Sequence, residues 1–237
     1  MTWVAGVDAC RGGWFVVLRD HVSGETRHRL VEHLHDVVIG LEKPPFVAVD
    51  IPIGLLEHAV RGGRGCDQEA RSLLGPPRGR SVFSPPVRAA LRCADYAAAN
   101  RANKTSSPDK IGISRQSFGL SEKMREADEF TTPELQPPVC EVHPELCFYQ
   151  LNGRQPMKHS KKKREGLLER RSVLVKAGFA VVISAIGQYP RTKVAEDDIL
   201  DACVACWTAE RILNEQAICI PAEPPLDGRG LQMKMSR

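Results

Sequence analysis

The sequence predicts a mixed α/β fold on three observations. Two N-terminal apolar runs are joined by a glycine turn, a later β-branched run is stopped by proline, and a long helical segment lies near the end. Residues 3–9 form the first apolar run, Cys10-Arg11-Gly12-Gly13 is the turn, and residues 14–18 form the second run. So short a connection makes these two strands antiparallel neighbours. Residues 27–34 alternate polar and apolar side chains, which predicts a third strand. Residues 46–51 (Phe-Val-Ala-Val-Asp-Ile) end at Pro52 and suit a buried central strand.

Between Gly62 and Pro138 the texture turns helical. Stretches at 67–74, 87–100 and 117–130 are separated by loops such as Gly75-Pro76-Pro77-Arg78-Gly79-Arg80. Strand character resumes at 139–143 and is closed by Pro144. A helix is expected over 165–176, a short strand over 179–184, and the strongest helix of the chain over 196–214. Strands first, then strands alternating with helices, argue for a mixed sheet covered by helices. No repeat is visible, and residues 1–237 read as one domain with an insertion at roughly 62–138.

With 42% hydrophobic and 26% charged residues, the composition is that of a globular protein, neither disordered nor fibrous. A net charge of +4 permits nucleic-acid binding without demanding it. Met1-Thr2-Trp3-Val4 enters a strand pattern rather than a leader, and no apolar stretch approaches the ~20 residues of a membrane helix. The eight cysteines are therefore expected as reduced thiols of a cytoplasmic protein.

Three apolar strands each carry one carboxylate: Asp8, Asp50 and Glu141. Burying an unpaired carboxylate is costly, so each calls for a partner, a metal or a wet strand end. A strand-terminal acid capping the next turn would explain any one of them, but less readily all three. Asp198 and Asp201 are three residues apart and share a helix face. Acids of a first helical turn complement the macrodipole, which accounts for Glu196, Asp197 and in part Asp198, but poorly for Asp201. Residues 202–209 carry no charge, and Ala202, Ala205 and Ala209 keep one flank small. Such a helix can lie against a sheet and bring its acids towards those on the strands. Acids gathered this way repel one another unless a hard cation sits among them.

These residues resemble a known pattern. Gly6-Val7-Asp8-Ala9-Cys10-Arg11-Gly12-Gly13-Trp14, Asp50-Ile51-Pro52-Ile53-Gly54-Leu55, Cys66-Asp67 with Ala70-Arg71, and Ser81-Val82-Phe83-Ser84-Pro85-Pro86 are its first parts. Glu141-Val142-His143-Pro144-Glu145 and Asp197-Asp198-Ile199-Leu200-Asp201-Ala202 complete it. The chain looks like a member of the family of predicted RNase H-fold nucleases (domain of unknown function number 429), and is distantly similar to Holliday-junction resolvases. The resemblance implies a five-stranded mixed sheet with strand 1 central, helices on both faces and a long helical insertion between strands 4 and 5. It implies Asp8 beside Asp50, with Asp198 and Asp201 above them. Glu141 has no clear counterpart in the resolvases.

The expected activity is metal-dependent hydrolysis of phosphodiester bonds in nucleic acid, DNA or RNA. Two-metal cleavage needs carboxylates holding cations ~3.5–4 Å apart. The assignment is Asp8 bridging two Mg²⁺ or Mn²⁺ ions, Asp50 on one, Asp198 or Asp201 on the other, and Glu141 either completing a shell or orienting a water. His143 is a candidate acid or base or a metal ligand, with a hydrogen-bonded structural histidine as the plainer reading. Arg64, Arg71, Arg78, Arg80 and Arg88 are candidate phosphate contacts, as is the run Lys161, Lys162, Lys163 and Arg164. A solvated face explains that run equally well. Cys203 and Cys206 read as small core residues rather than a zinc pair. The rival functions are a non-catalytic nucleic-acid-binding module and a phosphotransferase-type enzyme acting on nucleotides or small phosphoesters. The oligomeric state is left open, a homodimer included.

Overall fold

The computed structural model describes residues 1–237. In chain order its strands and helices begin with β1 (Trp3–Cys10), β2 (Gly13–Asp20), β3 (Thr26–Val31), α1 (His35–Ile39) and β4 (Phe46–Asp50). There follow α2 (Gly65–Leu74), a 3-10 turn at Arg78–Ser81, α3 (Arg88–Leu91), α4 (Tyr96–Thr105), α5 (Arg115–Gly119) and α6 (Ser121–Phe130). The chain continues with β5 (Val139–Glu141), α7 (Pro144–Leu151), α8 (Arg164–Lys176), α9 (Ala180–Ile183) and α10 (Glu196–Leu213). β6 (Cys219–Ile220) and β7 (Met235–Ser236) pair with each other near the end.

Five strands form a mixed sheet in the order β3-β2-β1-β4-β5, with β1 in the middle. β1 runs antiparallel to β2 and parallel to β4, and β5 runs parallel to β4. Gly13 closes the β1–β2 hairpin at φ +131°, where a Cβ would lie 2.1 Å from the Val31 carbonyl oxygen. Only glycine fits there. β1 and β4 are buried along almost their whole length, so they read as apolar runs rather than alternating strands.

The chain divides into two compact units. The first comprises residues 1–51, 137–218 and 236–237 and holds the five-stranded sheet. The second comprises residues 52–136 and 219–235 and holds α2 to α6. The stretch read as an insertion thus begins about ten residues earlier than the sequence suggests and recruits a second segment from near the end of the chain.

Three element assignments need correction. Residues 179–184 enclose the helix α9 and not a strand. Phe179, Val182 and Ala185 are all fully buried, and their spacing of three is helical. The helical stretch at 87–100 is two helices, because the Asp95 side chain accepts the Ala98 N–H and starts α4 afresh. The stretch at 117–130 likewise divides into α5 and α6. α7 is an element the sequence reading omitted. His143 at its N-cap and Pro144 at its first position were the available signal.

α10 lies across β1, β4 and β2. Ala202, Ala205 and Ala209 are fully buried in the core together with Val4, Phe15, Val17 and Ala48. The approach is closest at Gly6, where a Cβ would lie 2.0 Å from the Cys206 backbone nitrogen and 2.2 Å from the Ala202 carbonyl oxygen. The start of α10 is tied to the hairpin by the Gly12 N–H, which donates to the Lys193 carbonyl at 2.9 Å. All eight cysteines are thiols. Burial pushes the Cys203 and Cys206 thiols up, and Cys206 Sγ contacts the Val4 carbonyl at 3.8 Å, as core residues do. No helix is long and apolar enough to cross a membrane.

Gly6→Ala is expected to destabilise the protein by about 3 kcal/mol or more, because the atoms a methyl group would strike are helix backbone and cannot rotate away. Urea unfolding of the variant beside the wild type measures this, and an unchanged midpoint would contradict the packing described.

Candidate metal centre

Parallel pairing of β1 with β4 sets Asp8 directly against Asp50, so the two carboxylates share one sheet face. That face is the one α10 covers, since Gly6 is two residues before Asp8. Asp201, in the second turn of α10, comes down onto the pair. Ligand oxygens of Asp8, Asp50 and Asp201 all lie within 4.8 Å of one another. Asp8 is 6% exposed and Asp201 1%, while Asp50 is half-buried.

Electrostatics follow from this crowding. Burial, then the charges of Asp50 and Asp201, hold the Asp8 pKa well above the ordinary carboxylate range. Burial pushes Asp50 up to about 6, with the nearby His143 ring acting in the opposite direction. Burial also raises Asp201, opposed chiefly by Lys161. Asp201 Oδ1 is buried with no hydrogen-bond partner. An all-oxygen donor set with one orphaned buried carboxylate oxygen fits a hard divalent cation, and these three residues would hold it.

Asp198 lies outside that set. Its carboxylate accepts the Ala195 N–H at 2.7 Å and caps α10, although its charge still bears on Asp8. Burial pushes its pKa up to about 6. Glu141 is on the other side of the sheet. β4–β5 pairing places it opposite Val49, and successive side chains alternate faces, so Glu141 points away from Asp50. The sequence shows one acid per strand but not the register that decides between faces. His143 caps α7, its Nδ1 accepting the Glu145 N–H at 3.2 Å. A neutral imidazole bonded this way carries its proton on Nε2.

The basic candidates divide sharply. Arg64 is fully buried; it pairs with Asp67 at 2.7 Å and donates to the carbonyls of Ile53 and Gly54. Arg71 donates to the Val82 and Gly62 carbonyls. Arg88 is buried among Asp128, Asp227 and Glu57. These three arginines bond to groups of the second unit itself; Arg64 and Arg88 are buried, while Arg71 is half-buried and lines a pocket there. Lys162 pairs with Asp197 at 2.7 Å. Lys161 pairs with Asp201 and so belongs to the acid cluster. Arg78 is half-buried, whereas Arg80, Lys163 and Arg164 are exposed.

Sequence reasoning missed the part played by Lys161 and also the pair Glu145–Arg170. Arg170 is fully buried, and its Nη2 donates to Glu145 Oε1 at 2.5 Å. Glu145 in turn raises the Asp201 pKa. Only the Glu at the third position of His143-Pro144-Glu145 was a local signal; nothing near Lys161 or Arg170 in sequence names an acidic partner.

Removing the Arg88 charge would leave three acids facing one another. Arg88→Met is expected to destabilise by about 3–5 kcal/mol in chemical unfolding, and stability within ~1 kcal/mol of wild type would refute a structural role. Asp50 gives a pH signature. With its folded pKa raised to about 6, the folded chain binds more protons than the unfolded chain between the ordinary carboxylate range and that value. Metal-free stability therefore falls as pH rises through that window. Asp50→Asn lacks this loss, so its advantage over wild type should grow from pH 4 to 7 to on the order of 2 kcal/mol. Parallel melting curves of the two proteins in chelator would contradict it.

Neither a curated protein nor a solved structure matches the chain. The family model described as a protein of unknown function (DUF429) matches residues 6–226, which include Asp8, Asp50 and Asp201 together with both compact units almost entire. The chain belongs to the DUF429 family.

Proposed function

We propose that this protein is a metal-dependent phosphodiesterase that hydrolyses nucleic acid, with Asp8, Asp50 and Asp201 as its reaction centre. The observation that carries the reading is the gathering of three carboxylates, two of them buried, with one buried oxygen left unpartnered. Burying like charges together is destabilising by itself, and a cation is the ligand that makes the arrangement favourable. Bound Mg²⁺ or Mn²⁺ supplies a polarised phosphoryl oxygen and a water acidic enough to attack at neutral pH.

The residues of the chain divide the remaining work. Asp8 and Asp201, fixed on the central strand and on α10, set the shape of the binding site before any ligand arrives. Asp50 is the least buried of the three and the last residue of its strand, which makes it the carboxylate best able to meet solvent or substrate. His143 carries an Nε2 proton that can be given to a departing oxygen near Asp50. No protein nucleophile is needed. Lys163 and Arg164, exposed and in the same unit as the carboxylates, are the candidate contacts for backbone phosphates.

The test is a cleavage screen with purified protein and Mn²⁺ across single-stranded, duplex, hybrid and branched substrates. Asp8→Asn and Asp201→Asn keep side-chain shape but lose charge, and should cut roughly 10²–10⁴-fold more slowly. Substrate affinity should fall less than turnover, because the proposed phosphate contacts are untouched. Variants that cut as fast as wild type would show the carboxylates to be structural.

A further inference from the structure

The carboxylate cluster already contains a cation that belongs to the chain. Lys161 Nζ is paired with Asp201 Oδ2 and lies 3.8 Å from Asp197 Oδ2. The Lys161 side chain is 31% exposed and that of Asp201 only 2%, so Lys161 forms the more exposed edge of the cluster. Its charge also bears on Asp8 and Asp50.

The backbone around Lys161 is built to hold it there. The Lys158 and His159 N–H groups both donate to the Glu169 carboxylate, at 2.8 and 3.0 Å. Buried Arg170 donates to the His159 carbonyl at 3.0 Å. α8 fits closely against the loop, since a Cβ on Gly166 would lie 2.1 Å from the Ser160 carbonyl oxygen. A lysine on a free loop would gain little by such a pairing, but this one gives up little backbone freedom to make it.

Three ionised carboxylates against one ammonium leave two negative charges, which a single divalent ion balances. Asp197 adds nothing, because Lys162 offsets it. When Lys161 departs, the same three carboxylates carry three negative charges, and Asp201 Oδ2 is released as a ligand for a second ion. The buried Asp201 Oδ1 is free to accept a first ion while Oδ2 is engaged by Lys161.

We propose that Lys161 is a positioning residue that limits the substrate-free site to one divalent ion, a second entering only when the lysine withdraws from Asp201. This deepens the metal reading given above and rests on it. Lys161 is then a counter-ion that keeps the acids assembled, and it competes for the oxygen a second ion would need.

The experiment counts Mn²⁺ ions bound by the full chain, without nucleic acid, using electron paramagnetic resonance and calorimetry. Wild type, Lys161→Gln and Lys161→Arg are compared, and circular dichroism in chelator verifies that each is folded. Wild type and Lys161→Arg should bind one ion. Lys161→Gln should bind two, or bind the second at least about tenfold more tightly. Two ions on the substrate-free wild type would overturn the inference whatever the variants do. So would one-ion binding by wild type with a superimposable Lys161→Gln isotherm, and that result would leave the metal reading standing. Failure of wild type and Lys161→Gln alike to bind Mn²⁺ would sink the metal reading and the inference together.

Discussion

Everything in the first unit depends on how closely α10 can lie on β1. The distance is set at Gly6, where the helix backbone occupies the space a side chain would need. Ala202, Ala205 and Ala209 extend the same close fit along the helix. Larger residues at these positions would lift the helix by ångströms, and Asp201 would rise with it, away from Asp8 and Asp50. The packing of small apolar residues therefore does the positioning on which the polar chemistry relies. This is a rigid arrangement, because the acids sit on the central strand, its parallel neighbour and a long helix rather than on loops.

The electrostatic cost of that arrangement is shared among several groups. Lys161 relieves Asp201, the Ala195 N–H relieves Asp198, and Lys162 relieves Asp197. Asp8 has no cation of its own and stays well above the usual carboxylate range. The chain thus spends two of its four consecutive basic residues on the first turns of α10, which explains a basic run without assigning all of it to a polyanion. Arg170 and Glu145 form a second layer. They brace the loop that delivers Lys161 and add a negative charge behind Asp201.

The second unit solves a different problem with the same residue types. Its helices are short, and buried ion pairs and hydrogen bonds join them to the loops. Asp227 accepts backbone N–H groups from Leu55, Arg229 and Leu231 and pairs with Arg88. Arg64 similarly joins the start of α2 to the chain after β4. Buried ion pairs contribute little net stability, yet losing one partner is severe, so such networks fix one arrangement of loops over others. Arginines in a Gly/Pro-rich segment are easily taken for phosphate ligands, and here three of them serve the protein's own carbonyls and carboxylates.

The sequence by itself determined what is carried by local pattern. The glycine hairpin, the long last helix and the acids Asp8, Asp50 and Asp201 are readable because turn chemistry, apolar periodicity and a charge inside an apolar run are all short-range signals. The central place of β1 in the sheet came only with the family resemblance. Tertiary structure alone decided the rest. Whether Glu141 joins Asp50 depends on strand register, and a parallel pairing offset by one residue reverses the answer. Which arginines are buried depends on partners as distant as Asp227 from Arg88. Lys161 meets Asp201 across 40 positions of chain. Local composition records that a charge is present, but only the folded chain fixes what it faces, because Coulombic and hydrogen-bonding partners are chosen by distance in space.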